Sequence, residues 1–244
     1  KLNWIIKCWD NAGLMTNKLK VIKRYLGYFF HSLNIFLKRK SFDTILAWQQ
    51  FYGIIFAFYC EIFKVKKQNS LVILTFIYKK KNGTAGKLYH WFVSKAVCSE
   101  YIDKIVVYSQ GEINYYSQIF NVPESKFTFM PFGLDKQETD LERSKLVNFD
   151  CPFLLSVGKS NRDYDFLIKA AEKINHPIVV LTDRFPSNVE IPNNITLFEN
   201  VRGIEYSKLL NDCYAMLIPL KDENLSSGQM VMLKSMQFKK PVIV

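Results

Sequence analysis

The chain has 244 residues, which allows one large or two small domains with a substantial hydrophobic core. Hydrophobic residues make up 49% and charged residues 23%, a balance typical of a globular protein that argues against disorder. The net charge of +11 is uneven, since residues 1–104 hold 18 basic and 5 acidic residues whereas 105–244 hold 15 and 17. The excess therefore indicates one specialised basic face in the first part of the chain.

The five cysteines are scattered and form no C-x-x-C pair. Neither a disulfide framework nor a zinc site is predicted, and a reducing compartment fits best. The start shows no signal peptide, and the most apolar stretch, 45–63, contains Gln49, Gln50 and Glu61, which makes it a poor membrane span. The sequence therefore predicts a soluble protein with a basic flank.

The first part of the chain alternates helices and strands. Apolar residues three or four apart predict an amphipathic helix over 19–37, with Lys20, Lys23 and Arg24 on its other face; the apolar series is Leu19, Ile22, Leu26, Phe29, Leu33 and Phe36. The pattern then predicts strand 42–48, helix 50–63, strand 71–78, helix 88–101 and strand 104–108. Unbroken apolar strands between helices indicate a parallel sheet covered on both faces.

A second alternation follows the polar segment 136–149, which is expected to be a linker or a short surface helix. It consists of strand 153–157, helix 164–174, strands 178–182 and 195–198, helix 205–213, strand 215–219, helix 228–238 and a last strand from 242. We expect two α/β domains, 1–135 and 151–244, joined by a linker over 136–150. The first domain lacks an opening strand and the second stops inside a strand, so we expect a fragment that is incomplete at both ends.

The turn at 156–164 is the first candidate binding site. Gly158 permits close backbone approach, and Lys159 and Arg162 add positive charge before a helix N-terminus, which suits a phosphate or diphosphate. The same sequence also fits an ordinary strand–turn–helix with solvated basic residues and no ligand. Asp163 and Asp165 match a paired-aspartate metal motif superficially, but at a helix start they are expected to be capping residues.

The segment 219–229 is the second candidate site. Ser226, Ser227 and Gly228 offer hydroxyl and amide groups at a helix N-terminus beyond the carboxyl end of a strand, where ligands bind in open α/β sheets. A serine N-cap with nothing bound is the alternative. The third candidate, within 43–53, places Trp48, Gln49 and Gln50 between a strand and a helix. This pattern suits sugar recognition, and a buried aromatic cluster fits equally well.

Several motifs keep a recognisable order and spacing over about residues 40–244: Val106-Val-Tyr-Ser109, Phe120-Asn-Val-Pro123, Met130-Pro-Phe-Gly133, Ser156-Val-Gly158-Lys159 and Ala215-Met-Leu-Ile-Pro219. Together with the ending Leu233-Lys-Ser-Met236 and Lys240-Pro-Val-Ile-Val, they resemble the family 4 glycosyltransferases of the GT-B fold. The resemblance implies an α/β protein with two Rossmann-like domains whose parallel sheets face a cleft.

The resemblance also implies roles for the candidate residues. The first domain would hold the acceptor, with Trp48, Gln49 and Gln50 as its contacts. The second would hold the donor, because Lys159 and Arg162 match the family's diphosphate-binding cations and Gly158 matches the glycine of that turn. The family's donor loop corresponds to the stretch that contains Ser226, Ser227, Gly228 and Gln229.

This sequence departs from the family at three places. The two glutamates that lie eight residues apart around the donor loop are matched by Ser226 and Lys234. A lysine only donates hydrogen bonds, so Lys234 would contact the nucleoside in a different way. The family's histidine falls near Ile77, and its second glycine-rich turn is replaced by Thr182-Asp183-Arg184.

The predicted activity is transfer of a hexosyl group from a nucleotide-diphosphate donor to a glycan or polyprenyl-linked acceptor in cell-surface, capsular or exopolysaccharide synthesis. The resemblance implies retention of configuration. No cofactor or metal is expected, because cations and helix N-termini would stabilise the leaving diphosphate. An inverting reaction would need a general base, and Asp43 and Glu112 are the candidate catalytic carboxylates.

The basic flank predicts a location on the cytoplasmic face of the membrane, with peripheral attachment to anionic lipid. Two alternatives remain open. A catalytically inactive GT-B-like binding module fits the missing glutamates and histidine. A nucleic-acid-binding protein fits the charge, but no recognised nucleic-acid module is visible, so no such partner is expected.

Overall fold

A computed structural model describes residues 3–8, 18–222 and 225–244. The chain forms two compact units, Lys1–Met130 and Pro131–Val244. Each unit contains one fully parallel sheet, with four strands in the first and five in the second. The boundary between the units precedes the predicted end of the first domain at 135. The predicted α/β class with parallel sheets is confirmed.

The four strands of the first unit lie in chain order, β1-β2-β3-β4. Its elements are α1 (Lys18–Leu37), β1 (Thr44–Ala47), α2 (Gln50–Ile62), β2 (Ser70–Ile73), α3 (Gly83–Val97), β3 (Lys104–Val107), α4 (Gln110–Phe120) and β4 (Phe127–Phe129). The central strands are buried, as Leu71, Ile73, Ile105 and Val107 are fully inaccessible. The sequence pattern anticipated most of these elements but not α4 and β4.

Strand β2 ends at Ile73, five residues before the end predicted from its apolar run. Leu74 N still donates to Ala47 O of β1, but at Ile77 and Tyr78 side chains satisfy the backbone. Ile77 N donates to Gln50 Oε1 at 2.7 Å and Gln50 Nε2 donates to Ile77 O at 3.1 Å. Tyr78 N donates to the Tyr116 hydroxyl at 3.2 Å. The apolar run therefore continues past the end of the strand, with Phe76 and Tyr78 buried and Ile77 exposed.

Helix α1 packs on α2 through a different face from the apolar series seen in the sequence. Tyr28 stacks on Phe51 at 5.7 Å between ring centroids, and Phe36 stacks on Phe63 at 5.5 Å. Ser32, between them on the same face, is also buried. Of the predicted apolar series Phe36 is buried and Leu33 packs against the core, whereas the first three members, Leu19, Ile22 and Leu26, lie on the solvent side of the helix.

The sheet of the second unit has the order β7-β6-β5-β8-β9. Its elements are β5 (Leu154–Val157), α5 (Tyr164–Ala171), β6 (Ile178–Leu181), β7 (Ile195–Phe198), α6 (Gly203–Asp212), β8 (Ala215–Leu217), α7 (Gln229–Gln237) and β9 (Val242–Ile243). Alternate residues of each central strand enter two separate cores, one on each face of the sheet. Val179 and Met216 belong to one core, whereas Val180 and Leu217 belong to the other. This burial explains the unbroken apolar runs in the sequence.

The segment 136–150 forms no helix or strand and packs on one of the two cores of the second unit, to which it belongs. Ser144 is buried, and its backbone N donates to the Asp212 carboxylate at 2.7 Å. Asp212 ends α6 just before β8 begins, so this contact lies near the amino edge of the sheet.

Candidate binding site at the switch point of the second sheet

The candidate site lies where the strand order of the second sheet reverses direction. The chain passes from β5 to β6 and β7 on one side, and then returns to β8 on the other side of β5. In open α/β sheets the crevice at the carboxyl ends of two such strands is the preferred ligand-binding position. Arg162 follows β5 and Gly228 follows β8, so both come from turns at this edge.

The guanidinium of Arg162 is fixed by backbone carbonyls. Its Nε donates to Val157 O at 3.1 Å, and its Nη1 donates to Ser160 O at 3.0 Å. The backbone of Arg162 also forms an isolated antiparallel bridge with Leu220 after β8. Within the described ranges Nη2 has no hydrogen-bond partner and no carboxylate pairs with Arg162. Arg162 is therefore a fixed cation whose Nη2 can still donate hydrogen bonds to a ligand.

Two glycines flank this guanidinium. Gly158 has φ +130°, and a Cβ atom there would lie 2.8 Å from Arg162 Nη2. Gly228 has φ +87°, and a Cβ atom there would lie 3.5 Å from the same nitrogen and 2.9 Å from Ile218 Cγ2. Glycine adopts this backbone without the steric cost that other residues carry. Both turns therefore come close to the guanidinium only because neither has a side chain at that point.

Asn161 connects the two turns. Its Nδ2 donates to Asp222 O at 2.8 Å and to Ser227 Oγ at 3.0 Å, and its Oδ1 accepts from Asp222 N at 3.0 Å. Asn161 itself has φ +53°, which asparagine tolerates better than most residues. No role was predicted for Asn161 from the sequence. Its position beside Arg162 was visible in the sequence, but its partners some sixty residues away were not.

The electrostatic surroundings of Arg162 favour an anion. Burial lowers the pKa of Arg162 from its ordinary value, but a guanidinium stays charged at neutral pH. Helix α7 begins after Gly228 and directs the positive end of its dipole toward this edge. Tyr206 lies nearby, and burial raises its pKa to about 12. Its buried hydroxyl has no partner within the described ranges.

The remaining predicted donor contacts lie at the same edge of the sheet, but each already has a partner. Lys159 forms an ion pair with Asp183 on the turn after β6, and its hydrogen bond is the main reason that the pKa of Asp183 is lowered. Gln229 Nε2 donates to Ser226 Oγ. Lys234 places its Nζ 5.1 Å from the ring centroid of Tyr206. Asp163 caps α5 by accepting from Phe166 N at 2.9 Å, as the capping interpretation expected.

The structure corrects the position of Asp43 in the first unit. The third candidate segment, 43–53, was expected to lie at the carboxyl end of a strand. However, β1 begins at Thr44, so Asp43 is at the amino edge. Trp48 follows the same strand at its carboxyl edge. Asp43 is therefore on the opposite edge of the sheet from the residues with which the sequence had grouped it.

Glu112 lies after β3 at the carboxyl edge, in the first turn of α4, but it is buried with only 3% exposure. Its Oε2 accepts from Tyr108 N at 3.2 Å, and its Oε1 accepts from the Tyr116 hydroxyl at 3.3 Å. An acidic residue in the first turn stabilises the helix and satisfies amides at its start. This carboxylate therefore has a structural environment and little access to solvent.

Of the three predicted acceptor contacts, two have structural partners and one is exposed. Gln49 caps α2 by accepting from Phe51 N at 2.7 Å, and Gln50 bridges to the backbone of Ile77. Trp48 is 71% exposed. Only the indole therefore offers a large open surface, while the two amides hold the surrounding segments together.

Comparison with solved structures shows the fold. The chain is similar to HepE of Anabaena, solved in complex with UDP-glucose, with a TM-score of 0.62 and 13% identity over 87% of this chain and 62% of that one. It is also similar to WaaG, a glycosyltransferase involved in lipopolysaccharide biosynthesis (TM-score 0.54, 14% identity, 79% of this chain and 63% of that one). The galactosyltransferase WaaB gives a TM-score of 0.54 at 13% identity, over 93% of this chain and 62% of that one.

These neighbours confirm the predicted GT-B type of Rossmann-like unit. The chain spans less than two thirds of the length of each of them. No protein-family model and no curated protein sequence matches the chain. Across the described residues, no helix has the length and apolar character needed to cross a bilayer.

Proposed function

We propose that this chain is part of a glycosyltransferase that takes its sugar from a nucleotide-diphosphate donor. The observation that carries the proposal is the guanidinium of Arg162, fixed between Gly158 and Gly228 at the switch point of the second sheet. Its fold neighbours include glycosyltransferases, and HepE was crystallised with UDP-glucose, so UDP is the first nucleotide to test. The acceptor we propose is a glycan or a polyprenyl-linked glycan.

In the proposed reaction the bond between the sugar C1 and the β-phosphate oxygen breaks, and C1 bonds to an acceptor hydroxyl oxygen. The acceptor's proton leaves to the departing diphosphate or to water. Arg162 Nη2 and the amides at the start of α7 would stabilise the charge that develops on the diphosphate. Lys159 would join them by exchanging Asp183 for a phosphate oxygen. Lys234, whose Nζ lies 5.1 Å from the Tyr206 ring centroid, and the buried Tyr206 hydroxyl would contact the nucleoside side of the ligand.

We propose retention of configuration and independence from metal. Retention is supported by the position of Asp43 at the amino edge and the burial of Glu112, since the first lies away from the carboxyl edge and the second has little access to solvent. Transfer by the full-length enzyme should continue in excess chelator, and the anomeric configuration of the product can be read by proton NMR. Loss of activity in chelator that manganese restores would contradict metal independence, and an inverted product would contradict retention.

The biological setting we propose is polysaccharide synthesis at the cytoplasmic face of a membrane. The support is the charge of the first unit, which holds 19 basic and 7 acidic residues over 1–130. The chain should bind anionic vesicles, release them as salt rises, and ignore neutral vesicles. Charge reversal of Lys79, Lys80 and Lys81 should weaken this binding and leave nucleotide affinity intact. Salt-sensitive binding to oligonucleotides without binding to vesicles would contradict the membrane role and favour nucleic acid.

Measurements of nucleotide binding and of sugar transfer distinguish an enzyme from a binding module. A catalytically inactive GT-B-like module would bind UDP and give no transfer to any acceptor, whereas the proposed enzyme would give both. Calorimetry with UDP and UDP-glucose, followed by release of UDP in the presence of a polyprenyl-linked glycan, makes this distinction.

A further inference from the structure

The solvent side of α1 carries large apolar side chains from its first turn to its last. Five large side chains recur at helical spacing on this side, each more than half exposed: Leu19, Ile22, Leu26, Phe30 and Leu37. Side chains three, four and seven residues apart lie above one another on a helix. They therefore form one continuous stripe, which we call the α1 stripe.

The packing of α1 fixes the direction in which the α1 stripe points. Tyr28 stacks on Phe51 and meets Tyr52 edge-on, with ring centroids 5.3 Å apart in the second pair. Phe36 contacts Phe56 and Phe63 on α2. These aromatic contacts hold the opposite face of the helix against the first unit, so the α1 stripe faces away from it.

The charge around the α1 stripe has one sign. Residues 18–40 contain seven basic residues and no aspartate or glutamate. Lys23 is exposed and lies beside the stripe, between Leu19 and Leu26 on the same side of the helix. Lys38 and Lys40 are exposed just beyond its end. A partner for this face should therefore combine an apolar layer with negative charge.

We propose that the α1 stripe lies in the interface of an anionic lipid bilayer, with Leu26 and Phe30 below the headgroups and Lys23 at the lipid phosphates. A helix with one apolar face and a basic flank lies in the plane of such an interface. A second copy of the chain fits less well, because it would bring two basic surfaces together. This inference rests on the proposed membrane association and names the surface that makes it.

The test uses the full chain and one matched pair of variants. Phe30→Glu places a charge in the α1 stripe, and Phe166→Glu makes the same change on α5 of the second unit. The two side chains are 68% and 64% exposed, so neither change removes a core residue. Cosedimentation with phosphatidylcholine vesicles that contain phosphatidylglycerol should show binding weakened by at least about tenfold for Phe30→Glu and by less than about twofold for Phe166→Glu.

A second variant detects insertion of the α1 stripe into the bilayer through a change in tryptophan fluorescence. Phe30→Trp should shift the tryptophan emission to shorter wavelength, beyond any shift of the wild type, when anionic vesicles are added and not when neutral ones are. Lys23→Glu should weaken binding to the anionic vesicles. Far-UV circular dichroism and the UDP affinity should stay unchanged in Phe30→Glu, Phe30→Trp and Lys23→Glu, because α1 is remote from Arg162 in the chain and belongs to the other unit.

The outcomes separate this inference from the membrane association on which it rests. If the wild type binds anionic vesicles and Phe30→Glu binds them equally well, the proposed role of the α1 stripe is wrong and the membrane association stands. No wild-type binding to anionic vesicles would overturn both. A wild-type dimer in analytical ultracentrifugation that Phe30→Glu makes monomeric would also overturn the inference, because the stripe would then be an interface between two copies.

Discussion

A Cβ atom on Gly158 would lie 2.8 Å from Nη2 of Arg162, four residues further along the chain. A Cβ atom does not come this close to a nitrogen in real structures, so the guanidinium can occupy its position only beside a glycine. The same nitrogen is the donor of Arg162 that remains without a partner among the described residues. The absence of a side chain at 158 and the position of the Arg162 guanidinium are therefore one structural feature.

Gly158→Ala should disturb this feature directly. The methyl group would displace the guanidinium, and the left-handed backbone would cost about 1–3 kcal/mol for a residue other than glycine. We expect UDP affinity to fall at least about tenfold and the melting temperature to decrease. Gly133→Ala is the matched control, since a Cβ atom there meets nothing within 4 Å and φ is not left-handed. Equal UDP affinity for both variants in calorimetry would show that the guanidinium does not need this space.

Glu112→Gln tests whether the buried carboxylate is structural. The amide keeps one acceptor for Tyr108 N, so we expect the free energy of unfolding to fall by about 1–2 kcal/mol and the rate of transfer to change less than tenfold. Glu124→Gln, on an exposed turn, should change neither. A rate reduced by a hundredfold or more in a folded Glu112→Gln protein would instead identify Glu112 as a general base. Denaturant unfolding and a UDP-release assay provide the two measurements.

Asp103 gives a prediction about pH. Burial alone would raise the pKa of Asp103, but hydrogen bonds from Lys67 Nζ at 2.6 Å and Leu71 N at 2.8 Å outweigh it and hold this pKa below the ordinary value. Because the folded pKa is depressed, the carboxylate stabilises the native state above the ordinary aspartate pKa of about 3.9. That contribution is lost as the pH falls through the folded pKa.

Asp103→Asn should therefore lower the free energy of unfolding at neutral pH by about 1 kcal/mol, a modest value because both partners are about one third exposed. The difference from wild type should shrink as the pH is lowered below about 4. Asp43→Asn is the control, because Asp43 is exposed at the same edge of the same sheet and has no ion pair within the described ranges. A difference that stays constant with pH would show that the ion pair is not its cause.

The alternation of apolar runs predicted both sheets, because burial on two faces leaves a strong signal in the sequence. The end of β2 was predicted wrongly because the apolar run continues past the strand to Ile77 and Tyr78, whose backbone bonds to the side chains of Gln50 and Tyr116, and an apolar run does not reveal this change of partner. Asp43 was grouped with Trp48 in one motif, but the whole of β1 runs between them, so they lie at opposite edges of the sheet. The glycines around Arg162 were visible locally, but the link from Asn161 to Ser227 depends on long-range folding.

The central claim is that Arg162 binds the donor's diphosphate, and isothermal titration of UDP tests it most directly. Arg162→Ala should weaken UDP binding by about 1.5–3 kcal/mol, or roughly 10- to 150-fold, as expected for a charge-assisted hydrogen bond. Arg143→Ala should leave the affinity unchanged, because Arg143 is exposed beside Ser144 near the amino edge of the same sheet. Wild-type chain that binds neither UDP nor another nucleoside diphosphate, or Arg162→Ala that binds UDP as tightly as wild type, would contradict the account.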